Sequence, residues 1–224
     1  MGALLDPRAA AVSWCRRERI GGDGALAAGP RAHSRALTRA QEAALIEAIR
    51  GHVPTDLALP GDLWTRRTVA ALASGLLGVK LTTARVTRLL TAWGAIARDP
   101  AQRACPMCAG AVGRWMTTAY PLIARTAATH RAELHWIGRA RLCGVAPAAD
   151  MVSAVSGPAG RTRIGFMIAP GGPTAALPRD FLGRLSGNRP AHAIVDGSWA
   201  TWQLPRRAPG KVVLHPMPSC ERLS

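Results

Sequence analysis

Residues 133–168 read ELHWIGRARLCGVAPAADMVSAVSGPAGRTRIGFMI, and this stretch decides the fold class. From Glu133 the helical period of the preceding residues is lost. Leu134–Ile137, Met151–Val155 and Arg163–Ile168 read as three short strands, and Ser156-Gly-Pro-Ala-Gly-Arg161 separates the last two as a hairpin loop would. Downstream, residues 175–185 fit a helix carrying Leu177, Phe181, Leu182 and Leu185, provided Pro178 sits in its first turn. Ala191–Val195 is an apolar strand ending at Asp196, and Lys211–Leu214 a last one. Three strands, a helix, a strand, a short connection and a strand predict a mixed α/β sheet.

Upstream of this stretch the pattern is helical. Residues 111–129 carry Val112, Trp115, Met116, Ala119, Leu122 and Ile123 at helical spacing, after a linker over 98–110. A first helix starts at Thr38, where Thr38-Arg-Ala-Gln41 fits a capping box, and runs with Ala44, Leu45, Ala48 and Ile49 to Gly51. After a loop over Pro54–Pro60, Thr65 is the N-cap of a second helix with Val69, Leu72, Ala73 and Leu76 on one face, and Gly78 stops it. Thr82-Thr83 opens a third, whose Val86, Leu89, Leu90 and Trp93 follow i, i+3, i+4, i+7 spacing up to Gly94. Two short helices joined by about four residues with a Gly form a helix-turn-helix pattern. The outer face of the third helix presents Thr83, Arg85, Thr87, Arg88 and Thr91, donors suited to phosphates and base edges. A helical hairpin with a solvated polar face has the same pattern, so both readings stay open here.

Composition narrows the classes. Of 224 residues 48% are hydrophobic, enough for a packed core, and the formal charge is +16. That charge favours polyanions, although Arg outnumbers Lys so heavily (Lys80 and Lys211 are the only lysines) that a GC-rich genome accounts for part of it. No apolar run reaches the roughly 18 residues that span a bilayer, and the N-terminus does not read as a signal peptide, so a cytoplasmic, nucleoid-associated protein without membrane contact is expected. Residues 101–224 hold only Glu133, Asp150, Asp180, Asp196 and Glu221 as carboxylates, few for an enzyme needing three together. Among the five cysteines, Cys105 and Cys108 have CxxC spacing. A structural zinc site wants four ligands, and His130, His135 and Cys143 lack a paired spacing, so free thiols in a linker are expected rather than zinc.

Several blocks resemble the mariner-like DDE transposases of bacterial insertion sequences. Leu37-Thr38-Arg-Ala-Gln41-Glu42 is similar to the family's LTPEQE helix start, and Leu59 to Arg66 to its LP-x-x-LWTR block. Gly78 to Gly94 resembles its second helix-turn-helix, closing on RWG. Tyr120–Ile123 and Ala132–Trp136 resemble the approach to the catalytic strand, Met151–Ser156 resembles MISAVS, and Ile194-Val195-Asp196 resembles IVDN. The likeness spans about residues 9–218, and Ala10–Arg17 resembles the recognition helix of a first helix-turn-helix whose earlier helices are missing.

The resemblance implies an α+β chain: residues 1–36 a remnant of a first helix-turn-helix and linker, 37–98 a winged-helix-like DNA-binding domain, 99–110 a linker, and 111–224 an incomplete ribonuclease-H-like DDE domain. It implies double-stranded DNA with terminal inverted repeats as partner, with a second copy of the chain as a further one. Arg66 and Arg67 would meet phosphates at a helix N-terminus. Lys80, Thr83, Arg85, Thr87 and Arg88 complete the expected contact set. Intact members cut and join DNA with two Mg²⁺ or Mn²⁺ ions held by three carboxylates, since metals about 3.5–4 Å apart activate the attacking oxygen and stabilise the leaving one. The first carboxylate falls in the family's GDE, where this chain has Ile137-Gly138-Arg139. The second matches Asp196, a residual catalytic and metal-binding position followed by Gly197 instead of Asn. The third would lie beyond Ser224. Glu133, at a strand start, and Asp150, ahead of the next strand, have the wrong spacing to replace the first. With a short Leu142–Asp150 connection and no closing helix, part of the sheet is expected to be uncovered and the second half marginally stable. The expected function is DNA binding with cleavage largely lost. The alternatives are a repressor of transposition, an active endonuclease with a rearranged metal site, and a zinc module.

Overall fold

The computed structural model describes residues 37–94, 108–142, 149–157, 162–170, 176–187, 189–195 and 211–218. The remnant expected over 1–36, most of the linker, Cys105 and Asp196 lie outside these residues. The chain divides into two compact units, Met1–Ala92 and Trp93–Ser224. Among the described residues there are five helices and one five-stranded mixed sheet, and no helix is long and apolar enough to cross a membrane.

The first unit contains α1 (Arg39–Gly51), a 3₁₀ turn (Pro54–Leu57), α2 (Arg66–Leu77) and α3 (Thr83–Ala92). Its helices start where their caps dictate. The Gln41 amide donates to Thr38 Oγ1 at 3.2 Å, and the Thr38 amide donates to Gln41 Oε1 at 3.0 Å, which satisfies two amides with no partner inside the helix. Helix α1 buries Leu45, Ile46, Ala48 and Ile49; Ala44, expected on this face, is exposed, because the buried stripe is turned towards Ile46. At α2 the Thr68 amide donates to Thr65 Oγ1 and the Thr65 amide donates to Thr68 Oγ1 at 2.8 Å, a capping box built from two threonines. Gly78 ends α2 in the left-handed region (φ 65°), where a side chain would be strained. Val69, Leu72 and Ala73 of α2 and Val86, Leu89 and Leu90 of α3 are all buried, while Leu76 is half-buried. The buried Trp64 indole donates from Nε1 to the His52 carbonyl at 2.9 Å, tying the segment before α2 to the end of α1.

The second unit contains α4 (Ala109–Thr129), β1 (Glu133–Leu142), β2 (Ala149–Ser156), β3 (Arg163–Pro170), α5 (Ala176–Ser186), β4 (Ala191–Val195) and β5 (Val212–Pro216). The sheet order is β3-β2-β1-β4-β5. β1–β2 and β2–β3 are antiparallel; β1–β4 and β4–β5 are parallel. Helix α4 and strands β1 and β2 are longer than the sequence indicates. Asp150, expected ahead of the second strand, lies inside β2, opposite Arg141. Every residue of β4 and nearly every residue of β2 is buried, as inner strands covered on both faces require.

Side chains alternate along a strand, so the register assigns each residue a face. Leu134, Trp136, His192 and Ile194 share one face, onto which α4 packs Val112, Trp115, Met116 and Tyr120. Tyr120 stacks on Trp136 with centroids 5.3 Å apart, and Trp115 meets Trp136 edge-on. Glu133, His135, Ile137 and Arg139 lie on the opposite face, with Asp150, Val152 and Ala154 of β2. Of the apolar strand residues described, only Val213 on the edge strand β5 is well exposed, so the expected uncovering of the sheet is confined to that edge among these residues.

Helix α4 closes with Arg131 in the left-handed region (φ 51°), its amide donating to Ala128 O and the Ala132 amide donating to Ala127 O at 2.8 Å. An L side chain costs about 1–2 kcal/mol there, and a glycine costs the unfolded chain about 0.5–1 kcal/mol more. Arg131→Gly should therefore raise stability by about 0.5–1 kcal/mol, seen as a higher urea midpoint with an unchanged m-value.

Candidate functional site

The strongest charge asymmetry lies on α2, the turn and α3. Residues 66–92 carry Arg66, Arg67, Lys80, Arg85 and Arg88 and no carboxylate. Arg67, Lys80, Thr83 and Arg88 are exposed; Arg66, Arg85 and Thr87 are half-buried. None of Arg67, Lys80, Arg85 and Arg88 forms an ion pair among the described residues. Arg85 and Arg88 sit i, i+3 on α3 and so are neighbours on its surface. Thr82 caps α3, its Oγ1 accepting from the Arg85 amide at 3.3 Å. Thr83, Thr87 and Thr91 form a second row at i, i+4. The Thr87 hydroxyl donates to Thr83 O at 2.8 Å, and the Thr91 hydroxyl donates to Thr87 O at 2.9 Å. Helical threonines commonly bond back in this way. As it stands, Thr87 offers a ligand an acceptor rather than the expected donor.

The second candidate lies midway along β1, beside the end of β4. The last pair described there is Ile137↔Val195, one residue before Gly138 on one strand and before Asp196 on the other. Asp196 itself is outside the described residues. Gly138 offers no donor side chain and pairs across β2 with Ser153. The two described sheet carboxylates cannot replace it, because both occupy the opposite face. Glu133 accepts from Arg163 at 3.1 Å and lies 3.5 Å from His135 Nε2. Asp150 is almost fully buried and accepts from Arg139 Nη2 at 2.9 Å. A hard divalent ion needs several oxygens gathered together, and the described residues around Gly138 do not supply them.

Histidines and cysteines are arranged differently from the sequence expectation. Cys108, expected to be a free thiol, is disulfide-bonded. No group of three or more His, Cys, Asp and Glu suited to a metal occurs among the described residues. His130 and His135 part company: His135 lies beside Glu133, and burial holds its pKa below the ordinary value despite that carboxylate. His130 instead meets His192, which meets His215. Nothing local marks these three as a set, since they come from α4, β4 and β5. Their only sequence signal is a histidine within the otherwise apolar Ala191–Val195.

Compared with known proteins, the chain matches no family model, no curated protein and no solved structure.

The Arg139–Asp150 pair gives a direct test of the sheet. Removing one partner of a buried pair leaves the other charge uncompensated, at about 3–5 kcal/mol for a fully buried case. Arg139 keeps 28% of its side-chain exposure, so Asp150→Asn should cost less, about 2–3 kcal/mol in chemical denaturation. Replacing both (Arg139→Met with Asp150→Leu) should recover most of that loss. If the double variant is no better than the single one, the pair's charge is not what holds the strands.

Proposed function

We propose that this chain is a DNA-binding protein of the mariner-like DDE transposase type, gripping duplex DNA through α2 and α3 with little or no capacity to cleave it. The observation that carries this reading is the pair of short helices α2 and α3 over residues 66–92, with five cations and no carboxylate. Thr65 and Gly78 fix the ends of α2, and the buried Val86, Leu89 and Leu90 fix which face of α3 turns outward. That outward face carries Arg85, Arg88 and the threonine row. A single helix fits the major groove, about 12 Å wide. Arg85 and Arg88 would then reach base edges or phosphates from α3, while Arg67 and Lys80 neutralise backbone phosphates on either side. Binding releases counterions in proportion to the phosphates met, which makes it steeply salt-dependent.

Two features of the second unit support the family resemblance. The sheet order β3-β2-β1-β4-β5, with β1, β4 and β5 parallel, is the arrangement expected of a ribonuclease-H-like domain. The register also brings the residues preceding Gly138 and Asp196 side by side, as it should if those positions correspond to the family's first two metal carboxylates. The reading of lost cleavage rests on Gly138, which has no side-chain oxygen to give; the neighbouring Arg139, engaged by Asp150 on the far face, supplies no ligand either.

Fluorescence anisotropy with duplexes from the flanking repeats tests the reading. Wild type should bind with a steep salt dependence. Arg88→Ala should weaken binding and flatten the log K against log salt slope by about one unit if Arg88 meets a phosphate. A slope and affinity unchanged by both Arg85→Ala and Arg88→Ala would take α3 out of the interface. Mg²⁺-dependent nicking that disappears in Asp196→Ala would instead favour an active endonuclease.

A further inference from the structure

Three imidazoles stand in line on the α4 face of the sheet. His130 caps the C-terminal end of α4, His192 lies in β4 and His215 in β5. His130 Nδ1 is 3.3 Å from His192 Nε2, and His192 Nδ1 is 2.9 Å from His215 Nε2. The His192 and His215 rings are nearly parallel, 17° apart with centroids at 5.0 Å. His192 is 2% exposed, and both its nitrogens face another imidazole.

Each of the two contacts needs one N–H and one lone pair. Neutral His192 has one of each, so the neutral line runs one way, from His130 to His215 or the reverse. One added proton fits. On His130 or His215 it sets the direction; on His192 it lets that ring donate to both neighbours. Two added protons do not fit. If His192 and a neighbour are both charged, two N–H groups oppose each other. If the outer rings are both charged, His192 would need two lone pairs, and the neutral ring has one.

We propose that His130, His192 and His215 form a proton-counting latch, which ties the end of α4 and the edge strand β5 to β4 while it holds at most one excess proton and opens on taking a second.

The surroundings give a second charge no shelter. Across β4, His192 pairs with Leu134 on β1 and Val213 on β5, both apolar. Glu133, at the start of β1, is on the other face and engaged by Arg163 and His135. Arg131, after α4, and Lys211, before β5, are exposed cations, and Arg189 precedes β4. Burial holds both His192 and His215 below the ordinary histidine pKa, assisted by His130 at His192 and by His192 at His215. The unfolded chain therefore binds more protons than the folded one below about pH 6.5, so stability is full above that pH and falls as pH is lowered through it. Of the three rings only His192 is buried, so a second proton must either enter it or leave it between two charged imidazoles.

The test is a pH titration of the full chain, with chelator present, followed by ¹⁵N-histidine long-range NMR and by hydrogen exchange. At neutral pH His192 should show one protonated and one bare nitrogen. On acidification the first protonation should leave exchange unchanged, and the second should coincide with a loss of protection at Val212–Pro216 or at the end of α4. His130→Gln supplies a donor and an acceptor but takes no proton, and it sits at an exposed position. It should move the opening down by about one pH unit or more, because both protons must then enter the adjacent rings of His192 and His215. His215→Gln should act the same way, which guards against a defect peculiar to one variant. Three independent, ordinary histidine titrations, or protection at β5 and α4 unchanged after the second protonation, would overturn the latch. So would an opening pH that neither variant moves.

Discussion

The parallel pairing of Glu133–Ile137 with Ala191–Val195 is the constraint on which the second unit depends. It joins segments separated in sequence by β2, β3 and α5, so its loop-closure entropy must be offset by burial. The apolar run Ala191–Val195 supplies that burial because every one of its residues is covered. A slip of one residue would send Ile194 to the far face and bring Val195 beneath α4, which is why two-sided burial still specifies a register. Once the register is set, the remaining placements follow. Trp136 and Ile194 sit under α4, Arg139 and Asp150 meet on the far face, and His192 stands between His130 and His215.

The parts of the fold legible in the sequence are those whose signals are local. Thr38 with Gln41, Thr65 and Gly78 mark helix ends because the residues that satisfy or relax each terminus are within a few positions. The i, i+3, i+4 stripes on α2 and α3 are legible for the same reason. Strand cores are visible but strand ends are not. Gly138 to Leu142 has no apolar run of its own, and it is strand because β2 lies alongside it. The sequence places Asp150 ahead of the strand, because a carboxylate within a buried strand is tolerable only with a partner, and its partner Arg139 comes from another strand. The histidine line is illegible for the same non-local reason. On α3, the pattern shows which residues face outward, but not that Thr87 and Thr91 turn their hydroxyls back onto the helix.

Both units carry more cations than carboxylates, but the excess is distributed differently. In the first, five cations between Arg66 and Arg88 have no carboxylate in the same segment, so the field they create reaches outward. Repulsion among them costs the free protein some stability, and a polyanion would relieve it. In the second, the described carboxylates each have a cation nearby: Glu133 has Arg163, Asp150 has Arg139, and Asp180 has Arg184. The remaining cations of this unit, among them Arg114, Arg125, Arg179 and Arg189, are spread over α4, α5 and the turn before β4. The concentration of cations on α2 and α3, and not the net charge of the whole chain, is what the reading of DNA contact rests on.

Arg139 also bears on what the sheet can do. A guanidinium and a divalent ion both neutralise carboxylates, but they ask for different surroundings. Arg139 is covalently placed, carries its own donors in a fixed fork, and is satisfied by Asp150 on the face away from α4. A pair of Mg²⁺ ions would need oxygens converging beside Gly138 on the α4 face, where the paired residue of β2 is Ser153. Turning one arrangement into the other is not a matter of a single acid. A carboxylate placed at position 138 would stand next in sequence to a cation already committed to the opposite face. It would gain one metal ligand while Asp150 stayed bound to Arg139, so the charge that stabilises this sheet is directed away from the place where catalysis would need it.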